Sequence, residues 1–253
     1  MSVKRRTIQL CCLAVPWAVI ALVPLTAQRS QPLELSVIDG RPLAAVISQL
    51  ETRYGWTITY EDPPYESPLD VDDVTLQVAR DPKNFKGKVL VPRTRGFVFK
   101  YPNADQPRAE EVLAALVRDY NLVNHDRFRL LRTGKFFHVV PSVSDDRTGQ
   151  PTERQSRLDV RVTIPVADRS VRETVELVVA QVRERTGAPL VGGRLPTNLF
   201  SQKKLRTGAT NEPARDVLVR ALTSTGRELS WRIHCDPGGT RMCGFDVHFV
   251  RPQ

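Results

Sequence analysis

Reactive side chains concentrate near the end of the chain, in LSWRIHCDPGGTRMCGFDVHF, where Cys235 and Cys243 lie close to His234 and His248. Two thiols and two imidazoles can build a tetrahedral zinc site, a dithiol redox pair or a disulfide staple. Geometry separates these readings. If Cys235 and Cys243 face each other across an antiparallel hairpin, Ile233 faces Phe245, Trp231 faces Val247 and Leu229 faces Phe249 on one side of the ladder. The other side then holds Ser230 opposite His248, Arg232 opposite Asp246 as an ion pair, and His234 opposite Gly244. In this register both histidines point away from both cysteines, and they stand roughly 13 Å apart along the ladder. Zinc ligands must converge within about 2 Å of one ion. The spacing therefore favours a Cys235–Cys243 disulfide over a metal site or free thiols.

Other candidate groups are sparse. Asp70, Asp72 and Asp73 resemble a fragment of a calcium loop, but the glycine and terminal glutamate of an EF-hand are missing, so a solvated turn is expected. His125 beside Asp126 reads as a surface loop, and His138, His234 and His248 as outward-facing strand residues. No G-x-S-x-G, H-E-x-x-H, G-x-G-x-x-G or G-x-x-x-x-G-K-[ST] motif occurs. No catalytic residue, metal ligand or cofactor is assigned, and a non-enzyme is expected.

The compartment follows from the other end. Lys4, Arg5 and Arg6 precede an apolar run from roughly Ile8 to Ala27, the layout of a secretory signal. Residues 1–27 are read either as a signal cut after Ala27 or, because Leu25 is not small, as a retained membrane anchor. Cys11 and Cys12 lie within this leader, which leaves an even pair of cysteines in an exported, oxidising setting. No second long apolar stretch follows, so a soluble body is expected after export. The formal charge of +9, partly carried by the leader, permits anionic partners without singling out nucleic acid. A G-x-x-G clamp for RNA is absent as well.

The elements that must position these groups recur. RPLAAVISQLETRYG, PRAEEVLAALVRDYN, SVRETVELVVAQVRERTG and EPARDVLVRALTSTG each place apolar residues three and four apart, which predicts four helices with one buried face. Ser170 and Glu173 form a capping-box pair, and Asn211 is expected to cap the fourth helix with Pro213 in its first turn. Strand-like segments flank every helix, so each half reads βαβ followed by βαββ, an α+β fold with helices packed on short open sheets. The expected division is a first domain at 33–142, a polar linker at 143–157 and a second domain at 158–251. Residues near 63–96 are an insertion into the first copy.

This order, with SVIDGRPLAAVISQLETRYGWTITYED and RAEEVLAALVRDYNLVNHDRFRLLRTGKFFHVV, then TIPVADRSVRETVELVVAQVRERTGAPLVGG and NEPARDVLVRALTSTGRELSWRIH, resembles two tandem STN domains (secretin and TonB N-terminus short domain). The resemblance implies a periplasmic module of a secretin- or TonB-type cell-envelope system that pairs with a protein partner. The insertion departs from the pattern, and neither a secretin nor a receptor barrel follows. The alternative is an envelope-associated binder of a glycan or small ligand, whose ligand-binding residues the sequence does not reveal.

Overall fold

The structure, a computed structural model, describes residues 32–81, 84–102, 105, 107–187, 189–237 and 242–251. The leader expected at 1–27 lies outside the described residues. The first half runs β1 (Leu33–Asp39), α1 (Pro42–Tyr54), β2 (Ile58–Glu61), β3 (Val71–Asp73), α2 (Thr75–Val78), β4 (Leu90–Pro92), β5 (Arg95–Tyr101), α3 (Ala109–Val123), β6 (Arg127–Thr133) and β7 (Phe136–Asp145). The second runs β8 (Pro151–Glu153), β9 (Arg161–Ser170), α4 (Val171–Thr186), β10 (Leu190–Gly192), α5 (Thr197–Gln202), β11 (Lys204–Pro213), α6 (Ala214–Thr223), β12 (Leu229–Cys235) and β13 (Cys243–Phe249). With β3, α2, β4, α5 and β8 set aside, βαβ–βαββ occurs twice and the fold is α+β.

Local chemistry sets the helix ends. Ser170 accepts from the Glu173 backbone N–H while Glu173 reaches back to the Ser170 N–H, the reciprocal capping box. Gly55 and Gly187 end α1 and α4 in the left-handed region, at φ 68° and 63°, where a side chain would be strained. Asn211 does not cap α6: it sits inside β11 at φ 53°, and Pro213 precedes the first helical residue without a side-chain cap. Consecutive register shifts in the β9–β11 ladder extend that strand up to the helix.

Within each repeat the first strands of the two βα units form a separate antiparallel ribbon, β1 with β5 and β9 with β11. Within the insertion β3 pairs with β4 alone, and the remaining strands share one sheet in the order β10-β13-β12-β2-β7-β6, with β8 on β7. The hairpin β12–β13 has the register expected from sequence at all seven pairs, closed by the Cys235–Cys243 disulfide. The repeats meet where β12 runs parallel to β2, Arg232 opposite Tyr60 and Ile233 opposite Glu61. The stretch read as a linker contains the end of β7 and β8 paired to it, and runs into a 3-10 turn at Arg157–Asp159.

Alternation along the strands gives this sheet two apolar faces. Ile58, Tyr60, Phe128, Phe137 and Val139 pack with α1 and α3 in one core. Trp231, Ile233, Phe245 and Phe136 pack with α4 and α6 in the other. Neighbours Phe136 and Phe137 thus belong to opposite cores, and the helices of the two repeats lie on opposite sides of one wall.

The wall overturns two expectations. His138 is buried, stacked 5.3 Å from the Trp231 ring, with its Nδ1 2.8 Å from the Thr59 hydroxyl. Arg232 does not pair with Asp246 but turns to Glu51 on α1 and to the Ile58 carbonyl. Ser230 donates to the same carbonyl at 2.6 Å, and His248 Nε2 lies 3.0 Å from Glu51. The polar side of one repeat's sheet is therefore covered by the other repeat: Arg232, Ser230 and His248 find partners across the seam, whereas His138 Nε2 and His234 Nε2, expected to face outward, are buried without one.

Glu51 and Arg232 are both almost fully buried, so removing one leaves an uncompensated charge, at a cost of about 3–5 kcal/mol. Arg232→Ala is expected to lower the stability of the whole chain by that order in chemical denaturation. The paired replacement Glu51→Leu with Arg232→Met should recover most of the loss.

Candidate functional site

The insertion, rather than the repeat, assembles the most polar enclosed site. The 3-10 turn Pro68–Asp70 is capped by Ser67, whose hydroxyl accepts from the Leu69 N–H. That turn carries Asp70 inward beneath β5, where Arg95 donates to it at 2.9 Å. Arg95 also lies 4.0 Å from Asp126, the residue that follows the α3 exit. Asp62, just past β2, accepts from Arg41 at 2.7 Å and from the Cys235 N–H at 2.8 Å. Tyr60, Tyr65 and Tyr120 complete the wall of a cavity of about 20 Å³, room for about one water.

Three carboxylate oxygens here are buried with no protein partner: Asp62 Oδ1, Asp70 Oδ2 and Asp126 Oδ1. Asp70 and Asp126 share Arg95 as their near cation. Burial first, then the charge of Asp70, pushes Asp126 up to about 7, against the opposing pull of Arg95. Burial likewise raises Asp70, partly offset by Arg95. Tyr60 and Tyr65 are held well above the ordinary phenol range by burial and by the nearby charge of Asp62. A site of this size and charge can hold a proton and a water. A cavity of that volume has no room for an organic substrate.

Asp70 was expected in a solvated turn and Asp126 in a surface loop, yet they are 3% and 5% exposed. Asp72 and Asp73 do lie at the surface, paired with Arg93 and Lys88. Asp126 is buried because the insertion folds over the α3 exit, a contact between segments about 55 residues apart that no local pattern encodes. Of the histidines expected to face outward, His248 is partly exposed, whereas His138 is driven down to about 3 by burial and by Arg215. Among the described residues no group of three or more His, Cys, Asp or Glu is arranged to hold a metal ion.

A second, larger cleft of about 280 Å³ opens between the repeats beside the disulfide. Tyr65, Glu66 and Arg157 line one side, and Thr186, Gly187 and Asp236 the other. Arg157 is committed to Glu61 and to the Asp62 carbonyl, each at 3.0 Å, and Glu66 to Arg154 at 2.8 Å.

No family model matches the chain, and neither the curated proteins nor the solved structures give a significant match. The site therefore has to be read from its own chemistry.

Asp126 supplies a test of the pocket. Its folded value of about 7 exceeds the ordinary 3.8, so between those values the folded state binds more proton than the unfolded state. Its contribution to stability is greatest below about 4, falls as pH rises to about 7 and is flat above, a span of at most about 4 kcal/mol. Asp126→Asn should raise the denaturation midpoint at pH 8 and converge on the native chain near pH 4. Loss of stability at pH 8 would show instead that an ionised Asp126 stabilises the fold through Arg95.

Proposed function

We propose that this chain is an exported, non-catalytic interaction module of a cell-envelope system of the secretin or TonB type. The observation that carries the proposal is how the two repeats associate: one sheet edge adds to another, β12 to β2, and among the described residues the resulting sheet stays open at both ends, at β10 and β6. Open edges present unpaired backbone groups that recruit extended segments, with backbone hydrogen bonds for affinity and alternate side chains for selectivity. The βαβ–βαββ order, which resembles the STN domain, supports the envelope setting. So does the intramolecular disulfide, which suits an oxidising compartment. Among the described residues no helix is long and apolar enough to cross a membrane.

The pocket around Asp126 fits this reading as a structural joint between insertion and repeat, since it encloses a water's volume rather than a substrate's. The cleft beside Cys235 favours the second reading, a binder of a glycan fragment or other small polar ligand, because its size and mixed charge suit one.

In-cell photocrosslinking from the full chain, followed by purification from the envelope fraction, distinguishes the two. The module reading predicts a discrete protein adduct from positions on an open sheet edge. Saturable binding of a peptidoglycan disaccharide, lost on substitution of Arg157 or Asp236, together with no protein adduct from either edge, would replace it with the small-ligand reading.

A further inference from the structure

The two repeats use equivalent strands differently. β12 takes β2 along its outer edge, whereas β6, the strand at the same place in the first repeat, has no strand beside it among the described residues. β6 is not fully bare. The Asn121 side chain of α3 accepts from the Phe128 N–H at 2.9 Å and donates to the Phe128 carbonyl at 2.8 Å, standing in for one residue of a neighbouring strand. Gln181 of α4 does the same for Thr163 on β9, in the separate ribbon of the second repeat, at 3.0 and 2.6 Å. On β6 the plug ends at Phe128. Alternation along an antiparallel ladder then directs the N–H and C=O groups of Leu130 and Arg132 outward as well. Beside them an apolar groove runs between α3 and β6 past Ala114, Val117 and Leu122, with Arg118 and Arg127 on its rim.

Charge selects the occupant. Among the described residues Arg127 has no acidic partner, and Arg118, Arg129 and Arg132 form partly exposed pairs, which contribute little and exchange readily. A second copy of this chain that repeated the internal join would bring β10, the counterpart of β2. That strand has three residues, and the α4 turn before it carries Arg183 where the equivalent position of α1 holds Glu51. The Glu51–Arg232 pair that secures the internal seam would be absent, and arginines would face arginines.

Building on the interaction-module reading, we infer that the β6 edge and its α3 groove are a docking slot for an extended segment of another protein, with alternating apolar residues and flanking acidic ones. β2 itself, within WTITYED, has that composition.

A synthetic WTITYED peptide titrated into the ¹⁵N-labelled chain is the probe, with WTITYKK as its charge-reversed control. The slot predicts slowed amide exchange at Leu130 and Arg132 on adding WTITYED, and binding at least tenfold weaker for WTITYKK. In Arg118→Glu/Arg127→Glu, both substitutions being at exposed positions, the preference should reverse. Equal binding of the two peptides, no binding at millimolar concentration, or protection confined to other strands would overturn the slot. So would concentration-dependent self-association of the chain that the double variant abolishes. If envelope crosslinking still captures a protein partner with the double variant, the slot is overturned while the interaction-module reading stands.

Discussion

The parallel join of β12 to β2 is the constraint on which the rest of the structure depends. It is short in backbone terms, two paired positions plus the Asp62 N–H to the Ile233 carbonyl at 2.8 Å. Its strength comes from side chains that cross it. Glu51, Arg232, Ser230 and His248 form one group, and Arg41, Asp62 and the Cys235 backbone a second. Glu61, Arg157, Ser156, Arg215 and Asp159 form a third. The charges buried most deeply among these, Glu51, Arg232, Asp62, Glu61 and Arg215, stabilise little by themselves, but any arrangement that leaves one unpaired is strongly disfavoured. The network therefore fixes the register between repeats more than it adds stability. The disulfide beside it holds the hairpin whose first strand makes the join, contributing about 2.6 kcal/mol in a chain-entropy estimate.

Much of the architecture could be read because it is local. The β12–β13 register followed from one alternation and one cysteine pair, and the four helices from apolar spacing and caps. What could not be read is nonlocal. Arg232 and His138 occupy the polar side of their own hairpins, so each looked solvent-facing. They are buried because the second repeat is inverted against the first, and each repeat's outer sheet face becomes a wall of the other's interior. Asp70 and Asp126 were misread for a related reason: their burial arises only when the insertion closes over α3. In all four cases the residue type suggested the surface, and a distant segment supplied the partner that made burial tolerable.

The same geometry bears on function. A sheet extended by adding edge to edge carries the hazard that addition continues. Asn121 limits it with a side-chain amide that occupies the backbone groups of one β6 residue, as Gln181 does on the separate β9–β11 ribbon. Arginines along β6 add charge, another common guard of an exposed edge. What remains open is a short, chemically biased stretch at Leu130 and Arg132, which suits selective capture better than polymerisation.

Native-state hydrogen exchange tests the central claim, that the seam makes the two repeats one cooperative unit. If it does, the slowest amides of β7 in the first repeat and of β12 and β13 in the second will share one opening free energy. They will also share one denaturant dependence and shift together in Arg232→Ala. Two separate sets of opening energies, with only the first or only the second repeat responding to that substitution, would contradict it.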